Sequence, residues 1–167
     1  MVNITPCQEK SKSQLNQKPI MYLDLDDTIL LEGRPLVNSA SFFQWCVKHF
    51  EVRWLTRWCP GGILSDSQTG YLSDKLKVSK ETIMICSNPK SFHYVKTDAI
   101  DWETTRPWAW VENNLNEQFP QDYQYMMKLG GKLHYYETSL HKNPNQPDNA
   151  ISQTWKRLAI DFNIQFS

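Results

Sequence analysis

Apolar residues along this chain fall into short runs that stop at polar or charged residues, and that punctuation predicts the elements. Ile20 to Leu23 is a continuous apolar run closed by Asp24-Leu25-Asp26-Asp27, as in a buried parallel strand whose carboxyl end opens into a polar loop. Ile29-Leu30-Leu31 and Leu36-Val37 flank Glu32-Gly33-Arg34-Pro35, which predicts a small hairpin flap beside the carboxylates. Asn38 or Ser39 is placed to cap a helix running to about Lys48, with Phe42, Phe43, Trp45, Cys46 and Val47 as its apolar side. A second strand is expected from Glu51 to Leu55, ending at Thr56 and Arg57. Pro60-Gly61-Gly62 then closes a loop, and one or two helices fill the stretch to Lys77.

Three further strands are expected. They are Ile83 to Cys86, Trp108 to Val111 ending at Glu112-Asn113-Asn114, and Leu133 to Tyr136 ending at Glu137-Thr138-Ser139. Lys96 to Ile100 reads as a loop entering a short helix, and Lys142 to Asn149, with two prolines and several asparagines, as a loop. Ile151, Trp155, Leu158, Ala159 and Phe162 have the spacing of a final helix packed on the sheet. Met1 to Lys18 is rich in Gln, Lys, Ser and Asn and reads as a flexible lead-in, which leaves 19–167 as a single domain. Strands alternating with helices define an α/β fold, a Rossmann-like open parallel sheet of about five strands flanked by helices. Ligands in such sheets bind outside the carboxyl ends of the strands.

Composition narrows the function classes. At 167 residues, with 40% hydrophobic residues and seven tryptophans, the chain has the material for one core. Eighteen basic residues balance eighteen acidic ones, which argues against a broad basic surface for nucleic acid or anionic lipid. Lys75, Lys77 and Lys80 are the clustered candidates for a local basic stripe. No apolar run approaches the roughly 20 residues that cross a bilayer, and the N-terminus lacks a signal peptide's apolar segment; the expectation is a soluble, cytoplasmic protein with no membrane partner. Cys7, Cys46, Cys59 and Cys86 form no C-x-x-C pair, so reduced thiols are expected rather than a zinc site or a disulfide framework.

The densest chemistry is the acidic cluster. Asp24, Asp26 and Asp27 repel one another at the mouth of an apolar strand, which a divalent cation with oxygen ligands would relieve. Asp24 and Asp26, two apart, reach the same side if the extended geometry persists, so one can serve as nucleophile and the other as general acid and base. On these residues alone, a solvated acidic turn with Asp27 or Thr28 as a local cap remains an equal reading.

The segment Met21-Tyr22-Leu23-Asp24-Leu25-Asp26-Asp27-Thr28 resembles the first signature of the haloacid dehalogenase-like (HAD) hydrolase superfamily, an apolar strand followed by D-x-D-x-T. Later signatures follow in order: Thr56 after its strand, Lys96, and Trp108-Ala109-Trp110-Val111-Glu112-Asn113 as an apolar strand leading to metal ligands. The resemblance implies a HAD-like fold and a Mg²⁺-dependent phosphatase. Asp24 would be the nucleophile and Asp26 the general acid and base, with Thr56 and Lys96 stabilising the phosphoryl oxygens. Thr28 and Arg57 are the expected substrate-binding residues, and Arg57 with Trp58 would shape the entrance. The implied metal ligands are Asp24, Asp26 (through its backbone carbonyl as well), Glu112 and Asn113. Lys90 competes with Lys96 for the lysine role. Where family members commonly carry two acids, this chain has Glu112 followed by Asn113, one negative charge fewer.

The intervals from Thr28 to Thr56 and from Thr56 to Lys96 hold core elements and little more, so no cap domain is expected, and an open site admits large phosphorylated substrates. Two other readings stand beside the phosphatase: a non-catalytic binding module on the same fold, suggested by Asn113, and a nucleic-acid end-processing phosphatase. Dehalogenase chemistry is disfavoured by Asp26, Thr56 and Glu112.

Overall fold

Alternation along the strands decides which side chains reach the site. The structure is a computed structural model that describes residues 17–130, 134–138 and 150–165. Its strands are β1 (Ile20–Leu23), β2 (Leu30–Leu31), β3 (Arg34–Pro35), β4 (Glu51–Trp54), β5 (Trp108–Glu112) and β6 (Tyr135–Glu137). The main sheet runs β4-β1-β5-β6 with every neighbouring pair parallel. The chain moves from β1 to one side for β4 and to the other for β5 and β6. β1 is therefore the topological switch point, and the crevice beyond its carboxyl end is where such sheets bind ligands.

Each face of the sheet is sealed by its own apolar layer. Met21, Leu23, Val52, Trp54, Ala109 and Val111 join a core with helices α1 (Ser39–His49) and α2 (Asp66–Leu76) and the C-terminal α6 (Ala150–Asp161). The intervening helices are α3 (Lys80–Met84), α4 (Leu115–Gln118) and α5 (Pro120–Lys128). Ile20, Tyr22, Trp108 and Trp110 face the opposite layer, with Ala99 from a 3-10 helix (Lys96–Ala99), Leu115 of α4 and Met126 of α5. Full burial of side chains of this size contributes about 1.5–3 kcal/mol each. The core also has specific geometry, as where Phe43 stacks on Trp54 at a centroid distance of 5.3 Å.

The hairpin flap forms as the sequence predicts. β2 and β3 pair antiparallel through Leu31 and Arg34. The intervening Glu32 and Gly33 both have positive φ (49° and 74°), as the tight primed turn of a two-residue hairpin requires. The final helix also matches its predicted spacing, with Ile151, Leu158 and Ala159 buried.

Three expectations are corrected. Ile83–Cys86 is not a strand. Ser79 accepts a hydrogen bond from the Thr82 N–H at 3.2 Å and starts α3 at Lys80, so Ile83 and Cys86 of that apolar run are buried while Met84 and Ile85 face outward. The one remnant of strand pairing is the Trp54 N–H donating to the Cys86 carbonyl (2.8 Å), and the sheet has four strands rather than five among the described residues. Asn38 precedes α1 but its side chain makes no cap bond: it is left-handed (φ 66°), its amide reaches Ser152, and among the described residues the buried Ser39 hydroxyl finds no partner. The last strand begins at Tyr135; Leu133, the 142–149 loop and most of the N-terminal lead-in lie outside the described residues.

Cys46, Cys59 and Cys86 are free and buried, as expected for small core hydrophobes, and Cys7 lies outside the described residues. Burial pushes the Cys59 and Cys86 thiols up to about 12. Of the three lysines in the candidate basic stripe, Lys75 and Lys77 both lie beside the single Asp74, and Lys80 stands on the next helix, α3. No helix among the described residues is long and apolar enough to cross a membrane.

Candidate active site

Register delivers two carboxylates to one place. Leu23 pairs with Val111, and the Asp24 N–H continues the ladder to the Val111 carbonyl at 3.1 Å. Asp24 and Glu112 are therefore the next pair on adjacent parallel strands. Alternation turns both toward the face that carries Tyr22, Trp110 and the 3-10 helix. Both are buried, Asp24 at 4% exposure and Glu112 at 0%.

Lys96 enters between them. Its ammonium lies 3.0 Å from Asp24 Oδ1 and 2.7 Å from Glu112 Oε2 and is itself 2% exposed. Burial alone would lower its pKa, but Asp24 and then Glu112 outweigh burial and hold it above the ordinary lysine value. Glu112 is pushed well above the usual carboxylate range by burial and by Asp24, against the pull of Lys96. With both carboxyls ionised, one ammonium would leave the cluster with an excess negative charge, which the raised Glu112 pKa relieves by favouring its protonated form. Lys90, the competing lysine, points elsewhere, to the Ile100 carbonyl and Asp101.

The helix carrying Lys96 is pinned by residues that sequence reasoning missed. Asp122 of α5, buried at 2% exposure, accepts from the Thr97 N–H at 2.7 Å. The Trp102 indole donates to the Thr97 carbonyl, and the buried Asn88 amide donates to both the Trp54 and Ala99 carbonyls, tying the end of β4 to this helix. Phe119 lies beneath two cations, with Lys96 Nζ 5.0 Å and the exposed Arg57 guanidinium 4.6 Å from its ring centre. A Phe-Pro step opening a helix whose first turn holds an acid was a legible signal for α5, but not for what Asp122 touches.

The remaining predicted residues surround Asp24. Thr28 is buried, and its hydroxyl makes a long 3.5 Å contact to Asp24 Oδ2. The chain reverses between them, with the Thr28, Ile29 and Leu30 N–H groups all converging on the Leu25 carbonyl. Thr56 is buried just beyond β4 and receives the Trp58 N–H at 3.4 Å. Asp26 does not continue the strand. It is exposed on the turn, and its Oδ2 accepts from the Trp58 indole at 2.7 Å. Partial desolvation of its carboxyl, with smaller contributions from Asp24 and Asp27, raises the Asp26 pKa although the Trp58 indole N–H opposes it. Asn113 is buried beside Glu112 in the chain. Thr138 closes the far side, its N–H on the Glu112 carbonyl (2.9 Å) and its hydroxyl on the Asp27 carbonyl (3.5 Å).

A small hard cation fits this donor set. Among the described residues Glu112 Oε1 is buried without a hydrogen-bond partner, and a cation would favour the ionised form that burial and Asp24 disfavour. No group of three or more His, Cys, Asp or Glu side chains converges among the described residues. A cation would therefore rest on Asp24 and Glu112, with backbone, water and substrate oxygens completing its shell, which is how Mg²⁺ is commonly held. Comparison with family models, curated proteins and solved structures gives no match to this chain.

Proposed function

We propose that this protein is a HAD-like, capless phosphatase that hydrolyses a phosphomonoester through an aspartyl-phosphate on Asp24, with Mg²⁺ as cofactor. The observation that carries the reading is the buried Lys96 ammonium shared between Asp24 and Glu112 at the switch point of a parallel sheet. A buried carboxylate held by a cation, with a second carboxyl on the adjoining turn, is the arrangement that in-line attack and proton transfer require.

Asp24 attacks phosphorus as the ester P–O bond breaks, and Asp26, its pKa raised, delivers its proton to the departing alcohol oxygen. Asp26 then takes a proton from the water that attacks the phosphorus of the aspartyl-phosphate, releasing phosphate and restoring Asp24. Lys96 compensates the charge on Asp24 and on the phosphoryl oxygens, and Thr56 supplies a hydroxyl to the same oxygens. Mg²⁺, held by Asp24, Glu112 and the Asp26 carbonyl, would supply Lewis-acid stabilisation of the phosphoryl charge. Asn113 adds a neutral amide there instead of a second acid.

The substrate enters from an open edge. Between Thr28 and Thr56 the chain builds only the flap, α1 and β4, and between Thr56 and Lys96 only α2 and α3. With Arg57 exposed at the mouth, this supports a large phosphorylated substrate. Release of phosphate from p-nitrophenyl phosphate in Mg²⁺ is expected, abolished by EDTA and by Asp24→Asn. Near-normal turnover by Asp24→Asn would overturn the nucleophile assignment. Absence of turnover on aryl, alkyl, peptide and oligonucleotide phosphates would favour a binding module instead.

A further inference from the structure

Trp58 lies outside the groups that touch phosphate in the mechanism above, yet its indole nitrogen is aimed at a reacting carboxyl. From this geometry we infer that Trp58 is a positioning residue, its N–H fixing the Asp26 carboxyl so that the free oxygen delivers the proton to the leaving alcohol. The inference rests on the phosphatase reading and adds to it a residue on which the leaving-group step depends.

Asp26 needs such a hold. It sits past the end of β1, exposed and held only by an isolated backbone bridge to Leu30, followed by Asp27 in the left-handed region (φ 54°). Among the described residues the Trp58 indole is its hydrogen-bond partner, at 2.7 Å on Oδ2, which leaves Oδ1 to carry and give up the proton. A hydrogen bond of this length to a carboxylate is among the stronger kind. Packing alone would bury the tryptophan ring without requiring its N–H to meet an acid.

Trp58 is itself locked. Gln68 donates from its side-chain amide to the Trp58 carbonyl at 2.9 Å, while the same Gln68 closes the capping box with Ser65 that starts α2. The Trp58 ring lies against Tyr71 (centroids 5.8 Å apart, planes at 46°), and the Tyr71 hydroxyl donates to the Gly33 carbonyl at the tip of the flap. The acid is thus referenced through one aromatic pair to both α2 and the flap, a rigid support of the kind that keeps a catalytic group in productive geometry.

The chemistry offers a readout that structural damage would not imitate. As the Asp24–phosphorus bond forms and the ester P–O bond breaks, the bonding pair stays on the leaving oxygen. An alkyl leaving group then needs the Asp26 proton, whereas p-nitrophenolate departs without it. The value of kcat/KM reports the steps through leaving-group departure, so it isolates this transfer from later hydrolysis of the aspartyl-phosphate. Trp58→Phe keeps the aromatic contact with Tyr71 and removes the N–H. It is expected to lower kcat/KM for an alkyl phosphate about 10- to 100-fold, part of what general acid catalysis supplies, and for p-nitrophenyl phosphate less than about 3-fold.

Equal losses on both esters, or none on the alkyl ester, would overturn the positioning role. A wild-type protein that turns over neither ester would overturn the phosphatase reading beneath it. A second measurement needs no turnover: the indole ¹H–¹⁵N signal lost in Trp58→Phe should shift in Asp26→Asn, and an unmoved signal would show that the hydrogen bond is absent.

Discussion

Lys96 and Glu112 hold opposite ends of a charge problem that single substitutions should expose. Removing the cation by Lys96→Met leaves Asp24 and Glu112 buried together without compensation. Breaking a buried pair from one side costs about 3–5 kcal/mol. Urea unfolding without metal should show a loss of that order, and Mg²⁺ should restore part of it. Glu112→Gln should act in the opposite sense. The pKa of Glu112 is raised by folding, chiefly by burial, so its contribution to stability is fully present below the unfolded carboxylate pKa and is lost as pH rises through the elevated folded value. Neutral pH lies above the unfolded carboxylate value, so the metal-free wild type has already lost part of that contribution and the glutamine variant, which does not titrate, has not. Thermal unfolding at pH 7 in EDTA should therefore place Glu112→Gln a few degrees above wild type, on the order of 1 kcal/mol. Its stabilisation by Mg²⁺ should disappear. A metal-free variant less stable than wild type would contradict the charge balance described for the site.

At the scale of elements, the loop from Thr56 to Lys96 does most to assemble the site, and one glycine holds its geometry. Gly62 has φ +81°, and a Cβ there would overlap the Asn88 carbonyl, whose own N–H donates to the Gly62 carbonyl at 2.9 Å. Asn88 in turn binds the ends of β4 and of the Lys96 helix. Gly62→Ala should cost more than about 1 kcal/mol from the backbone conformation alone. It should also weaken Mg²⁺ binding, measurable by calorimetry, because the shift passes through Asn88 to Lys96. What was legible here followed local physics: the apolar run before Asp24, the Gly33 hairpin and the spacing of α6. The run at Ile83 misled because its composition suits a strand while Ser79 caps a helix ahead of it, a local bond that outweighs β propensity. The place of Lys96 ahead of a short helix favours it over Lys90, but the long-range ties from Asn88 and Asp122 that seat its helix were not legible. The partner of Asp26, Trp58, is likewise 32 residues away in the chain.

Across the whole molecule, the zero net charge is an average over separated groups. At the amino end of the sheet Glu51 pairs with Arg53 and Arg106, and on α2 Asp74 pairs with Lys75 and Lys77. At the carboxyl end Asp24 and Glu112 share one lysine, with Asp26 and Asp27 beside them. The acidic groups that share the fewest cations therefore gather at the topological switch point. The parallel register made this placement partly legible, since apolar strands ending in acids predict carboxylates at one sheet edge whatever the number of strands. The central claim is that Asp24 forms a covalent phosphoryl intermediate there. Asp26→Asn, mixed with p-nitrophenyl phosphate and Mg²⁺ and quenched in acid, should release a burst of nitrophenol and stall before hydrolysis. Peptide mass spectrometry should then find one phosphoryl group on Asp24. A burst with the phosphoryl group on any other residue, or neither burst nor adduct in a variant that still binds Mg²⁺, would contradict the account.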